Sequence, residues 1–445
     1  MYLSENKTAR MTTLCGLYVA QGIPWGFVTV TFAAWLAQPK HNLSAAQIGP
    51  MLAVATLPWS FKFLWGPLMD RFTIPSMGRR RPWIIFAQSM AILVLASMLL
   101  FDDLPGMVWT SPPDASPAMK VIFHLIPGPL AAVILLANIF VSLQDVAVDA
   151  LAVDLLKEEE RGVANGLMYG CSYLGTAIGG AGLGLVVSRY GIQAGLIGQA
   201  VLLSLIMLLP LLIRERPSTA HSEDGGRADR PEPVMQDNIS GSVFGDLWKS
   251  FRLRSTLLGA GIALGAKIGI GVLTAVFVDY LVKHGWTLEE YTSVMGGYAL
   301  VLGLGGSVIG GFAADRFGAK RIIVVVSLLL GGLWIGCGVF PPVVESKMLM
   351  TCLLISQEFL LGMVSVALFS LFMTISWPRV AATQFTTYMA LMNLSTTCGS
   401  YAAGQLSVHF AVQQILIIAG LLQIAVMIPV LFIDPGQTRR VLGDA

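Results

Sequence analysis

The chain has 445 residues, 55% of them hydrophobic and only 12% charged, with a formal net charge of +2. Soluble domains carry about 25% charged residues, and half that share leaves too little polar surface to solvate a globule of this length. The apolar residues also fall in blocks of roughly 20, long enough to cross a ~30 Å hydrocarbon layer, which excludes a soluble enzyme, a nucleic-acid binder and a disordered chain.

Helices are the expected spanning element, because only helices and closed barrels satisfy the backbone in lipid. Continuous apolar runs without dyad alternation exclude the barrel. The first run, 11–37, follows Lys7 and Arg10 like a signal peptide, but it is too long for a signal core and no small-residue cleavage site closes it. It reads as a retained first span. Eleven more follow at 47–69, 82–101, 121–156, 162–188, 192–213, 254–283, 290–313, 321–340, 347–376, 380–406 and 409–433. The 102–120 segment between the third and fourth is Pro-rich and irregular. Residues 214–237 form the one long polar stretch, a flexible linker by composition. Behind it Val243, Phe244, Leu247, Trp248 and Phe251 recur at helical spacing, as in a helix lying on a membrane surface. The expected fold is an all-α membrane protein of twelve transmembrane helices. It divides into a six-helix bundle at 1–213, a linker at 214–253 and a second six-helix bundle at 254–445.

Of the 28 Lys and Arg residues, 21 fall in loops on one side and five on the other, while Lys62 and Lys267 fall within spans. The positive-inside rule places both termini and the linker in the cytoplasm. The five cysteines (Cys15, Cys171, Cys337, Cys352, Cys398) form no CxxC pair, and the five histidines do not cluster. Neither a disulfide framework nor a metal site is expected. No phosphate-binding loop appears, so ATP is not the expected energy source.

The two halves echo each other. Gly66-Pro-Leu-Met-Asp70-Arg71-Phe72 follows span 2, and Gly311-Phe-Ala-Ala-Asp315-Arg316-Phe317 follows span 8 at an offset of 245 residues. Gln144-Asp145 in span 4 is matched by Gln357-Glu358 in span 10, and Arg161 before span 5 by Arg379 before span 11. Internal repeats of this kind mark transporters whose site lies at the midplane between two bundles.

The paired G-x3-D-R-F motifs resemble the loop signature of the major facilitator superfamily. Within it the chain resembles the AmpG-like permeases and their relatives, the acetyl-CoA transporters and the siderophore permeases of the RhtX/FptX type. The residues that carry this are Tyr18-Val-Ala-Gln21-Gly22-Ile-Pro24, Leu57-Pro58-Trp-Ser-Phe-Lys62-Phe-Leu-Trp65, Gly78-Arg79-Arg80-Arg81, Gln144-Asp145-Val-Ala-Val-Asp149-Ala, Glu160-Arg161-Gly162 and Ala382-Thr383-Gln384-Phe385. AmpG-type muropeptide permeases often carry two further spans, where twelve are counted here. The resemblance implies the major facilitator fold, with helices 1, 4, 7 and 10 around a central cavity. It also implies secondary transport in the bacterial inner membrane, with no nucleic acid, metal or cofactor involved and no enzymatic step. A proton gradient is the expected energy source. The expected solute is a polar, anionic small molecule: a muropeptide, a siderophore or an acyl-CoA-like compound. Export, or sensing without flux, is the alternative on the same scaffold, and the chain is expected to act as a monomer in the lipid bilayer.

Counting 1.5 Å per residue from the flanking basic residues puts Gln21, Asp145, Lys267 and Glu358 roughly 16–20 Å deep, one on each cavity helix. A charge at that depth costs about 2.5–3.5 kcal/mol and usually faces a wet pathway. Lys267 is expected to attract the anion, and Asp145 or Glu358 to carry the proton. Asp145 and Asp149, four apart, share a helix face, where mutual repulsion and burial let a carboxyl load and release a proton. Lys62 is expected to pair with Asp149. Asp70, Arg71, Arg79, Arg80, Arg81, Asp154, Arg161, Asp315, Arg316, Lys320 and Arg321 are expected to latch an inner gate, as the motifs do in the family. Thr383 and Gln384 are candidate hydrogen-bond partners of the substrate. Gly175-x3-Gly179 and Gly180-x3-Gly184 in span 5 suit close packing against the other half.

Overall fold

The computed structural model describes residues 2–41, 43–65, 68–69, 74, 77–109, 116, 119, 127–156, 158–215 and 239–443. Twelve long helices run through them: α1 (Lys7–Leu36), α2 (Ala45–Ser60), α3 (Arg81–Leu100), α4 (Pro129–Leu155), α5 (Glu158–Ala177, continuing to Leu183–Tyr190), α6 (Ile192–Leu212), α7 (Arg254–Lys283), α8 (Leu288–Phe317), α9 (Ala319–Val339), α10 (Lys347–Ile375), α11 (Ala381–His409) and α12 (Val412–Leu431). Ten are long and apolar enough to cross a membrane. The other two are α2, which has 16 residues, and α11, which is rich in Thr, Ser and Gln. Both match expected spans. The surface helix expected after the linker is present as Ile239–Phe251, with Trp248 exposed on it.

Local signals fix the ends. Asn6 caps α1 by accepting from Ala9 N at 2.9 Å. Thr287 and Glu290 form a capping box at the start of α8. Pro129 stands in the first turn of α4, where its missing N–H costs nothing. Span 2 is interrupted: after Ser60 the chain leaves the α-helix at Phe61, turns through a 3-10 segment, Lys62–Leu64, and is α-helical again at Trp65, Leu68 and Met69. Lys62 therefore stands in the break. α4 begins at Pro129 rather than near 121, and residues 120–126 lie outside the described set.

The two halves pack by the same scheme. In the first, α1 packs on α5, α2 on α4, α3 on α4 and α6. In the second, α7 packs on α11, α8 on α10, α9 on α10 and α12. Two main seams join the halves, α2 with α11 and α5 with α8, which correspond to each other under the same relation, and α7 also packs on α2. Small residues allow the close approaches. Gly175 and Gly179 face the α1 backbone at Val19 and Ile23, so this pair packs within its own half rather than against the other as expected. Gly180 and Gly184 do face the other half, at Gly296 and Thr292.

Interhelical polar pairs repeat too. Gln144 Nε2 donates to Gln88 Oε1 at 2.9 Å, tying α4 to α3, and Trp334 Nε1 donates to Gln357 Oε1 at 3.0 Å, tying α9 to α10. The first residue of each Gln-carboxylate repeat is thus fully buried and bonds sideways to a neighbouring helix.

Candidate functional site

A cavity of about 1110 Å³ lies between the halves. Its wall comes from α1, α2, α4 and α5 of one half and α7, α8, α10 and α11 of the other; among the described residues, α3, α6, α9 and α12 contribute nothing to it. Val153 and Met373 on its wall are strongly exposed and stand on the parts of α4 and α10 nearest the basic loops, so the cavity opens toward the basic face.

The opposite face is closed. Near the outer ends of α2 and α11 a Cβ on Gly404 would lie 3.0 Å from the Ala46 Cα, and deeper in the same seam the Thr56 and Thr397 hydroxyls meet at 2.7 Å. In the α5–α8 seam a Cβ on Gly180 would lie 2.9 Å from the Gly296 Cα, so the backbones touch. Three helices carry a π-helical turn at this level: Phe27–Phe32 in α1, Ile178–Gly182 in α5 and Val294–Tyr298 in α8. The three turns pack together. Thr31 Oγ1 donates to the carbonyls of Gly179 and Gly180 at 2.8 and 2.7 Å, satisfying acceptors in a stretch where the α-helical ladder is displaced.

Among the described residues, three charged side chains of both signs line the cavity: Asp149, Lys267 and Glu358. Asp149 (α4) accepts a short hydrogen bond from the Tyr18 hydroxyl of α1. One turn away, Asp145 Oδ2 pairs with Lys62 Nζ at 3.3 Å. The ion pair of Lys62 thus runs to Asp145, where the sequence suggested Asp149. Asp145 and Lys62 are not on the cavity wall, so the first-half acids divide into one paired behind the wall and one held by a tyrosine on it.

Lys267 sits where α7 breaks, between Arg254–Gly265 and Ile268–Lys283, and its backbone N–H donates to Ser395 Oγ at 2.9 Å. Hydropathy shows span 7 as one continuous run; Gly259, Gly261 and Gly265 are the signal that could have shown the break. Glu358 (α10) lies close enough to Lys267 for each to act on the other's charge. Among the described residues neither makes an ion pair or a side-chain hydrogen bond through its charged atoms. Tyr173 (α5) and Tyr291 (α8) also stand on the wall within the field of Glu358. Trp25, Thr274, Ser365 and Asn393 add aromatic and hydrogen-bonding surface. Tyr18, Tyr173, Tyr291 and Asn393 were not singled out as site residues by sequence.

Other candidates fall elsewhere. Gln21 is buried off the cavity wall, its Nε2 without a partner among the described residues. Gln384 is fully buried: its Oε1 accepts from Trp377 N at 3.0 Å and its Nε2 donates to the Tyr388 hydroxyl at 3.0 Å, so its amide is spent inside its own half. Thr383 is exposed and also off the wall, which the next aromatic, Phe385, does line.

At the basic face, Asp70 and Arg71 lie outside the described residues, as does the Arg161 side chain. Arg80 Nε pairs with Asp154 Oδ2 at 2.9 Å. Arg81 donates through its guanidinium to the Pro210 and Leu211 carbonyls at the end of α6. The carboxylate of Glu215, which sequence reasoning missed, accepts from the backbone N–H groups of Arg79, Arg80 and Arg81. It fills the anion-favouring start of α3. Asp315 and Arg316 are exposed in the last turn of α8, Arg321 is exposed on α9, and Lys320 donates to the Ile433 carbonyl at 2.6 Å just beyond α12. The described contacts of these residues stay within one half.

The sequence pattern of the Major Facilitator Superfamily matches residues 14–395. The chain belongs to that superfamily. It is 25% identical over 392 residues to the anhydromuropeptide permease of Escherichia coli strain K12, covering 88% of this chain and 72% of the permease. It is 24% identical over 327 residues to the putative transporter AmpG 4 of Rickettsia conorii, covering 72% of each. Among solved structures, the D-xylose-proton symporter superposes with a TM-score of 0.70 at 15% identity, over 96% of this chain and 97% of the symporter. The nucleoside transporter NupG superposes with a TM-score of 0.62 at 13% identity, over 95% of this chain and 98% of that one. At such identities the structural likeness concerns the fold. This superfamily member is therefore a multi-pass membrane protein with two six-helix halves around a central cavity, similar in sequence to AmpG-type permeases.

Proposed function

We propose that the protein is a secondary active transporter of the bacterial inner membrane. It carries a polar, anionic organic solute inward by alternating access, driven by the proton gradient, as a monomer with both termini in the cytoplasm. The observation that supports this most is the cavity between the halves, closed on one face by the α5–α8 and α2–α11 seams, open on the basic face and lined by Asp149, Lys267 and Glu358. Charges held in the membrane are costly and generally mark a solute or proton path.

Lys267 supplies the positive charge for the anion. The coupling proton belongs to the Asp145/Asp149 pair: Asp149 faces the wet cavity, Tyr18 can donate to its ionised form, and Asp145 stands one turn away with Lys62 as its counter-charge. Of the three solute classes the sequence suggested, a muropeptide is favoured by the likeness to the anhydromuropeptide permease. No enzymatic step is assigned.

The test compares exchange with gradient-driven accumulation of an anhydromuropeptide in proteoliposomes. Asp149→Asn mimics the protonated acid. It is expected to keep exchange within about twofold of the parent and to abolish accumulation. Undiminished accumulation in Asp149→Asn would refute the proton site, and saturable binding without exchange in the parent protein would make the chain a sensor.

A further inference from the structure

The two halves share a scaffold, and at one place they differ in charge. The G-x3-D-R-F repeat relates position n in the first half to n + 245 in the second, which sets Lys62 against Ser307. The Gln-carboxylate repeat sets Asp145 against Glu358. In the first half the acid has its lysine: Lys62 Nζ lies 3.3 Å from Asp145. In the second half the residue in the lysine's place is Ser307, whose hydroxyl donates to the Gly303 carbonyl at 2.9 Å. Glu358 therefore stands without the partner that its counterpart has. It also stands on the cavity wall, together with Ser307, while Asp145 does not.

A carboxylate in the membrane is tolerated when a cation or donors satisfy it. Lys267 is within its field but not bonded to it, and the two project into one cavity from α7 and α10. The arrangement is a separated pair: a positive and a negative group, each with its charged end open to the same space.

From this we infer that the site takes a zwitterionic group, an ammonium and a carboxylate close together on one solute. The ammonium fills the place against Glu358 that a lysine fills against Asp145, and the carboxylate meets Lys267. Tyr173 and Tyr291 stand around the ammonium end, from α5 of one half and α8 of the other, so occupancy touches both sides of the moving seam. A solute that carries only an anion satisfies Lys267 and leaves Glu358 facing an apolar tail or water. The inference rests on the transport reading and assigns Glu358 to the solute, leaving the coupling proton to Asp149.

The test uses three probes: an anhydromuropeptide whose last residue bears a free amino and a free carboxylate group, the same compound acetylated on the amine, and the same compound amidated on the carboxylate. Binding is measured calorimetrically on the purified full chain in detergent, with uptake of the uncapped probe in proteoliposomes alongside. For the parent protein each cap is expected to weaken binding by about tenfold or more, the scale of one charge-assisted hydrogen bond. Glu358→Gln should lose its discrimination against the acetylated probe and keep that against the amide. Lys267→Ala should do the reverse. Ser307→Lys, which rebuilds the first-half pair in the second half, should raise the melting temperature and abolish the preference for a free amine; it reads the same contact if Glu358→Gln does not fold. Equal affinity of the parent for all three probes, with the uncapped one carried, overturns the zwitterion and leaves the transporter. Absence of uptake of the uncapped probe overturns the muropeptide reading and this inference with it.

Discussion

The halves of the molecule differ in how they treat charge. In the first, Lys62 is bonded to Asp145, Tyr18 to Asp149 and Arg80 to Asp154. In the second, Lys267 and Glu358 line the cavity with no bonded partner for their charges among the described residues, and a serine stands where the first half has its lysine. The second half does pair charges away from the cavity, Lys283 with Asp279 and Lys347 with Glu290, so the difference is confined to the cavity level. It teaches that a repeat preserves helix contacts, such as Gln144 with Gln88 and Gln357 with Trp334, more strictly than the chemistry of its site. At the cavity the first half holds Asp145 and Asp149 with partners of its own, while the second leaves the charged ends of Lys267 and Glu358 facing the cavity.

The comparison breaks most sharply at the two lysines. Lys62→Ala leaves Asp145 without its cation in a semi-buried site, and a cost of about 3 kcal/mol is expected, read as a lower midpoint in a thermal melt in detergent without solute. Lys267→Ala removes a charge that has no bonded partner among the described residues, so the same melt should be unchanged or raised. Equal destabilisation by both variants would erase the distinction between the halves.

The seam between the halves gives a smaller effect. Gly180→Val puts a branched side chain where the α5 and α8 backbones touch, and overpacking of this kind costs about 1–3 kcal/mol in the state that contains the contact. The closed face should then open more often, by roughly 5–150-fold in population. Thiol labelling of a Val30→Cys reporter from the face opposite the basic loops measures it. Labelling no faster than in the Val30→Cys parent would mean that the seam yields elsewhere.

The smallest effect concerns what the halves share. Gln144→Leu and Trp334→Phe each remove one interhelical hydrogen bond, worth about 0.6 kcal/mol on average in membrane bundles. The two melts should shift by similar small amounts. A large difference between them would show that the repeat is less symmetric in energy than in contact.

Much of this was legible in the sequence, and what was not has a common cause. Twelve spans, the internal repeat and the depth of Asp145, Lys267 and Glu358 follow from hydropathy, loop charge and a constant helical rise, all of them local or periodic signals. The Tyr18–Asp149 contact joins residues 131 apart, and nothing in either neighbourhood announces the other. Glu215 reads as one more charge in an Arg-rich stretch until folding brings it to the start of α3. Gln384 looked available because a glutamine at a helix start near a mouth has the right depth; its amide faces inward to Trp377 and Tyr388, and sequence gives depth more readily than azimuth. Gly175 and Gly179 show the same limit, since small residues announce a close approach without saying to which neighbour.

The π-helical turns in α1, α5 and α8 bear on how chains of this kind can vary. A π turn holds one residue more than the α-helical turn it replaces, and one residue is about 100° of helix rotation. Each of these helices is therefore out of phase with itself between its cavity-lining part and its end at the closed face. Deleting a single residue within 178–182 would leave Tyr173 and Thr176 in place on the cavity wall and turn Gly184 away from Thr292. A gap of one residue in the α5 turn thus forms an evolutionary dial on how firmly the far side shuts, because the wall residues of α5 all precede it. In α1 and α8 the turns reach the wall at Val30 and Met295, so a gap there would reshape the pocket as well.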